Sequence, residues 1–397
     1  MICIKSKTPI NELVNKHWEW LSKKIRYSET KNKTIDECKK VLKDKKKTEH
    51  EKKECALKVV IGEELYANLE KIIKGDLDYL KRIKEEKPLF FLDSAKFFEK
   101  KEELKSLSSQ IKIKEKDIKT EEDELILDDL NKKYEECQND CKLLKEQLEK
   151  KTTQKYTKKD GKEVSVDLIK LLRYESLHSK DSDWNAHILC DSLGVSVCPY
   201  CNRQYIFVTQ KKEGGWISSA QLDHFLPKDS NPLFSCSFFN LIPSCYCCNH
   251  GKSDDFRETI YPYKDEFGEE GVFRVVFPPG LSLDEIDFTK DVGIDIEIDS
   301  QNKHELIENS IDVFHLKELY NMHQLDLKDF IKRFNCCKTC RQQDYANVIL
   351  DETEWNDTRK RDLILGLPLD AAEIEYPLKK MKKDILKQLE EIEKIKL

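Results

Sequence analysis

Four cysteines in two pairs, Cys198-Pro199-Tyr200-Cys201 and Cys245-Tyr246-Cys247-Cys248, have the spacing that lets both sulfurs of a pair reach one tetrahedral Zn²⁺. Two such pairs fill the coordination shell and leave no position for water, so the expected zinc is structural. On spacing alone the second pair reads as Cys245/Cys248 or, one register off, Cys245/Cys247. Between and just after the pairs lie Asp223, His224, Asn240 and Asn249. A neutral imidazole, with an ordinary pKa of about 6.5, is suited to activating water near neutral pH. A carboxylate and a side-chain amide carbonyl are the hard oxygen ligands that Mg²⁺ prefers. Phosphodiester hydrolysis needs an activated water, a cation beside the leaving oxygen and a held phosphate, and these residue types cover the first two needs. Lys228, Lys252 and Arg203 are candidates for the third; each also reads as a solvated cation, which is the plainer reading of Arg203. Neighbours in a strand point to opposite faces, so Asp223 and His224 serve one site only where the strand ends. Pro227, just downstream, supports such an end.

The order Asp-His, then Asn, then Asn, framed by two cysteine pairs, resembles the HNH (ββα-metal) nucleases. The resemblance implies His224 as general base, Asn240 as a brace for the loop of that histidine, and Asp223 with Asn249 as ligands of one catalytic Mg²⁺ or Mn²⁺. The run Asn249-His250-Gly251-Lys252-Ser253-Asp254 is similar to the corresponding helix start in the HNH domain of RNA-guided nucleases. The longer spelling C-P-Y-C-N, L-D-H-F-x-P-K and N-L-I-P-S-C-x-x-C-N-x-x-K resembles the HNH proteins of bacterial Septu-type and retron-linked anti-phage defence systems. That implies a nuclease effector, with DNA the favoured substrate, working with or restrained by an ATPase partner. The resemblance runs from about Asp191 to Asp254 and says little about either flank. Two rival readings remain: the same site acting on RNA such as tRNA, and a non-catalytic zinc module that binds nucleic acid or scaffolds a complex.

The elements that must position these residues give an α+β fold, mostly helical, with a small zinc-clasped ββα-metal module between helical flanks and a coiled-coil hairpin. The expected organisation is a helical region over 1–99, a coiled coil or helical hairpin over 100–155, the HNH module over 156–270, and short strands followed by helices over 271–397. Helix formers with few breakers fill 14–25, 35–42 and 63–83. From Leu127, the positions Leu130, Tyr134, Cys137, Cys141, Leu144 and Leu148 advance by alternating threes and fours, a heptad seam. An earlier seam through Leu104, Leu107, Ile111 and Ile118, interrupted by Lys114, runs in another phase, and the change near 119–124 suits a hairpin or a stutter in one longer coil. This apolar stripe is expected either to dock on a partner or second copy or to lie on its own domain.

Within the module, 204–209 and 216–224 read as two strands joined by Lys-Lys-Glu-Gly-Gly, and a helix beginning near Asn249 completes ββα. Beyond it, 272–277 and 294–298 read as strands, and 304–335 and 378–397 as helices. The stripe Leu378, Met381, Ile385, Leu389 and Ile392 suits a core. His315 and His323, without paired ligands, read as structural; Cys337 and Cys340 form a third C-x-x-C pair beside Cys336, but with no second pair nearby they read as ordinary buried or surface cysteines and not as a second zinc site.

Composition bounds the rest. With 397 residues the chain can bury a sizeable core, and 37% charged residues imply extensive solvated helix surface. The mean hydropathy is −0.68. No apolar run is long enough to span a bilayer and the start lacks a signal-peptide core, so no membrane and a cytoplasmic location are expected. Fifteen cysteines then read as reduced thiols and metal ligands. The net charge of −6 confines any phosphate-attracting field to a local patch or to a partner.

Overall fold

Where the sequence supplies caps, helices begin. Thr34 and Thr48 each close a capping box, with Glu37 and Glu51, at the starts of α3 (Ile35–Lys43) and α4 (Glu49–Ala67). These pack with α1 (Ile10–Lys24), α2 (Tyr27–Thr30), α5 (Leu69–Lys74) and α6 (Leu77–Glu86). The single helix expected over 63–83 is interrupted twice: α4 stops at Asn68, and Asp76 accepts the Tyr79 N–H to start α6 afresh. The computed structural model describes every residue except 7, 93, 117–119, 180–181, 254, 256, 277–292, 340–364, 368–371 and 397. Ile118, Cys340 and the end of the Asn249 to Asp254 run therefore lie outside the described residues.

The hairpin is formed by α7 (Ser94–Lys114) and α8 (Glu121–Thr152), the second started by a Thr120/Asp123 capping box. Its seam faces inward. Cys137, Cys141 and Leu148 are buried, and Cys141 and Leu148 share a small separate core with Phe97 and Leu92. The apolar stripe that the sequence left open to a partner is thus occupied largely by α7 itself.

The chain then forms a hairpin, β1 (Thr153–Thr157) with β2 (Glu163–Asp167), around the break at 158–162, followed by α9 (Leu168–Leu171) and α10 (Ala186–Leu193). Gly194, in the left-handed conformation, ends α10 and sends the chain into the first cysteine pair. β3 (Val208–Gln210) and β4 (Trp216–Ser218) make the expected hairpin, but the chain breaks again before β5 (Gln221–His224). β5 pairs with β6 (Leu241–Ser244), not with β3, and α11 (Tyr246–Lys252) follows directly. The ββα unit is therefore β5, β6 and α11, one strand later than the alternation pattern suggested. β6 escapes a sequence reading because Leu-Ile-Pro-Ser is short, contains proline and is buried on every side chain, so it has no alternation to show.

Downstream, β7 (Gly271–Val276) pairs with β8 (Gly293–Ile298). The helical stretch expected over 304–335 is three helices, α12 (His304–Val313), α13 (Leu316–Asn321) and α14 (Gln324–Thr339), broken at His315 by a positive φ of 49°. α15 (Lys379–Lys396) lays its buried Met381, Ile385 and Leu389 on this layer, and its Asp384 accepts the Phe273 N–H. The acidic residues of β8 are matched within the chain: Asp295 pairs with Lys317 and Glu297 with Arg274. One continuous apolar core runs from Met1 to Leu389 through both flanks and the module. Among the described residues no helix is long and apolar enough to cross a membrane.

Candidate functional site

The four cysteines converge. Cys198, Cys201, Cys245 and Cys248 are all buried and their sulfurs lie within 4.8 Å of one another. Zn–S bonds of about 2.3 Å place sulfurs about 3.8 Å apart in a tetrahedron, and Cys201 Sγ and Cys245 Sγ are 3.9 Å apart. The donor set fits one zinc ion. The register is decided as well: Cys247 is exposed and its sulfur meets Gln204 instead. Both flanks brace the clasp. Ile2 donates its N–H to the Pro199 carbonyl at 2.9 Å. Tyr320 donates to the Cys201 carbonyl at 2.6 Å. Asn202, at a positive φ of 50°, bonds the carbonyls of Glu373 and Tyr376 and the N–H of Lys380. Asparagine tolerates that left-handed geometry and supplies the side-chain hydrogen bonds.

Each knuckle then delivers one residue to Asp223. From the first, Tyr200 donates to Asp223 Oδ2 at 2.6 Å. From the helix that follows the second, Lys252 reaches Asp223 Oδ1 at 3.2 Å and the His224 carbonyl at 2.7 Å. This Lys252–Asp223 pair is almost wholly buried. Lys252, a candidate phosphate contact by sequence, is instead committed to orienting the carboxylate and the end of β5. Arg203 is also engaged elsewhere, its guanidinium 2.8 Å from His323 Nε2, and it does not line the cleft described next.

A cleft of about 480 Å³ opens where β5 ends, lined by Asp223, His224, Asn249 and Lys228 among others. Asp223 and His224, adjacent in sequence, both reach it because the strand stops at His224. The His224 ring is buried. Its Nε2 lies 3.0 Å from the Ser235 carbonyl, which can only accept, so the neutral ring carries its proton there and its lone pair on Nδ1. Nδ1 has no hydrogen-bond partner among the described residues. Burial holds the imidazole pKa down, at about 3, with Lys228 and Lys252 adding to the depression against the Ser235 bond. The ring is therefore neutral at physiological pH. Asn240 bridges the loop after β5: it accepts the Leu226 N–H at 2.7 Å and donates to the Leu226 and Phe234 carbonyls. Asn249 donates its amide to Gln221 Oε1 at 2.8 Å, which turns its carbonyl oxygen away from that contact. Lys228 lies over the Tyr174 ring, which also packs against His224 at 4.7 Å.

Several residues of the cleft carry no sequence signal of their own. Tyr174 and His178 come from the segment that precedes the first cysteine pair, and burial together with the Lys228 charge lowers the His178 pKa. Tyr246 and His250 stack in parallel on α11, centroids 5.3 Å apart. Their i, i+4 spacing in the cysteine knuckle was the one available clue.

No family model matches the chain, and no solved structure matches it. Among curated proteins the chain is similar to protein ea31 of Escherichia phage lambda, 32% identical over 125 residues. That similarity covers 28% of this chain and 37% of the phage protein.

Proposed function

We propose that the chain is a metal-dependent HNH-type endonuclease that hydrolyses phosphodiester bonds, with DNA the favoured substrate. The observation that carries this reading is His224: buried and neutral, it is fixed by the Ser235 carbonyl and, among the described residues, has no partner at Nδ1, in the same cleft as Asp223 and Asn249. A histidine held only for structure more often has both nitrogens bonded within the protein, as His17 has. In this reading His224 Nδ1 takes a proton from the attacking water. Asp223 and the carbonyl oxygen of Asn249 would hold Mg²⁺ or Mn²⁺, which when bound neutralises charge on the leaving oxygen. Asp223 is already shared with Lys252 and Tyr200, so its affinity for a dication is reduced and phosphate oxygens of the substrate are expected to complete the site. Lys228 is placed to hold a phosphate, and Asn240 keeps the histidine loop in register.

The four-cysteine clasp supports the same reading by fixing α11 relative to β5, and with it Asn249 relative to His224. The resemblance to Septu-type and retron-linked nucleases supports a role as effector in anti-phage defence with an ATPase partner. The test is cleavage of plasmid DNA, oligonucleotides and tRNA by the zinc-loaded full chain, with Mg²⁺ or Mn²⁺ and with EDTA. Divalent-dependent cutting that leaves 5′-phosphate ends and vanishes in His224→Ala is expected. Cutting by His224→Ala at the wild-type rate would remove this mechanism.

A further inference from the structure

The proposed cleft is bordered by an aromatic surface that the chemistry of hydrolysis does not use. Among the described residues, three aromatic side chains are more than half exposed, Tyr246 at 60%, Tyr205 at 53% and Phe207 at 52%, and all three lie in the zinc module. Single exposed rings are ordinary, but exposed apolar side chains that share one face mark an interaction surface. Their arrangement is regular. Tyr205 and Phe207 flank the buried Ile206, so the two rings share the outward face of the segment that leads into β3. Ile217, 48% exposed, pairs with Thr209 across the hairpin and extends the same face. Gln204 meets Cys247 at 3.9 Å, which ties the start of this face to α11 beside Tyr246. Tyr246 in turn lines the cleft and is backed by the parallel His250 ring, which keeps it from folding away.

Charge accompanies the rings. The exposed Lys211 and Lys212 sit at the turn of the hairpin, and Lys228 sits in the cleft. Exposed flat rings accompanied by cations are what an unpaired nucleic-acid strand recognises, since each base offers a π face and each linkage a phosphate. A duplex keeps its bases stacked internally and offers such rings nothing but its backbone.

We propose that Tyr205, Phe207 and Tyr246 form a stacking platform for unpaired bases, so that the preferred substrate is a single strand or a frayed or displaced segment. This rests on the nuclease reading for the destination of the strand, but not for its binding. The test is fluorescence anisotropy with the zinc-loaded full-length His224→Ala protein, which removes cleavage, using oligothymidylate, oligouridylate and a DNA duplex of equal length at low salt. Either single strand is expected to bind about 10-fold or more tightly than duplex. Tyr205→Ala with Phe207→Ala, and separately Tyr246→Ala, should weaken single-strand binding about 10-fold each. Tyr246→Phe should restore it, because the ring and not the hydroxyl stacks. Preferred binding of duplex, or alanine variants that bind as the parent does, would overturn the platform. So would loss of a self-associated species, seen by sedimentation, in the alanine variants without change in strand affinity, which would make the face a contact between copies. Strand binding with the predicted variant pattern in a protein that never cleaves would leave the platform standing and remove only the nuclease reading.

Discussion

Two buried histidines hang from consecutive carbonyls, and their surroundings part them. His17, on α1, has Nε2 at 2.8 Å from the Cys236 carbonyl; His224 has Nε2 at 3.0 Å from that of Ser235. Burial depresses both pKa values, to about 4 and about 3. The other nitrogen differs. His17 Nδ1 accepts the Trp184 indole N–H at 3.0 Å, inside a cage of Trp20 and Phe238. Among the described residues His224 Nδ1 meets no partner, and its ring lines a cleft. Burial and a fixed tautomer are thus common to a structural and a candidate catalytic histidine; an unsatisfied acceptor beside open volume is what separates them.

The largest expected effect tests the clasp beneath that contrast. The purified chain should carry about one tightly held zinc, and Cys198→Ser or Cys248→Ser should lose it together with the fold of the module, since structural zinc sites contribute on the order of 10 kcal/mol of folding energy. Metal analysis and thermal melts read this out; a folded, zinc-free protein would refute it.

Exchanging the two histidines' fates comes next. His224→Ala should cut turnover by about 10²- to 10⁴-fold at a stability loss of about 1 kcal/mol. His17→Ala should do the reverse, costing about 3 kcal/mol through a cavity and an unmatched indole N–H while leaving turnover per folded molecule nearly intact. Equal stability losses, or lost turnover in both, would dissolve the distinction.

Acid sharpens it further. The folded pKa of His17 is lowered to about 4 from 6.5, so its neutral form contributes fully above about pH 6.5. As pH falls from 6.5 to 4 the unfolded state takes up a proton that the folded state does not. The contribution of His17 to stability should drop by about 3 kcal/mol across that window. Urea titrations at successive pH values should show a shallower decline in His17→Gln. The smallest effect belongs to the hairpin, where Leu143 is half-exposed outside the seam. Leu143→Glu should change stability by no more than about 0.5 kcal/mol, whereas a charge at the buried Leu148 should separate α8 from Phe97 and Leu92.

The hairpin seam was legible because a heptad repeat is local and long, and Leu127 to Leu148 needs only one partner helix to satisfy it. The zinc ligands were legible for a similar reason: a C-x-x-C pair carries its geometry in its spacing. β6 was not, since a four-residue buried strand containing Pro243 has no period, and the ββα unit was therefore assigned one strand too early. Lys252 shows a second limit. Its place in the Asn-His-Gly-Lys run marked it as important, but a lysine's charge looks the same in sequence whether it meets a phosphate in water or a buried carboxylate.

Sequence by itself determined three of the cysteine ligands and narrowed the fourth to Cys247 or Cys248, and it determined the Asp-His with its two asparagines and the helical character of both flanks, because each depends on residue type and short spacing. Only the tertiary structure decided that Cys248 and not Cys247 joins the cluster, that Tyr200 and Lys252 converge on Asp223, that Ile2 and the segment around Glu373 to Lys380 brace the knuckle, and that Tyr174 closes over His224. These contacts join residues tens to hundreds of positions apart. Their energy comes from burying polar groups in matched pairs, and whether a match exists is fixed by how separate elements pack and not by any one segment.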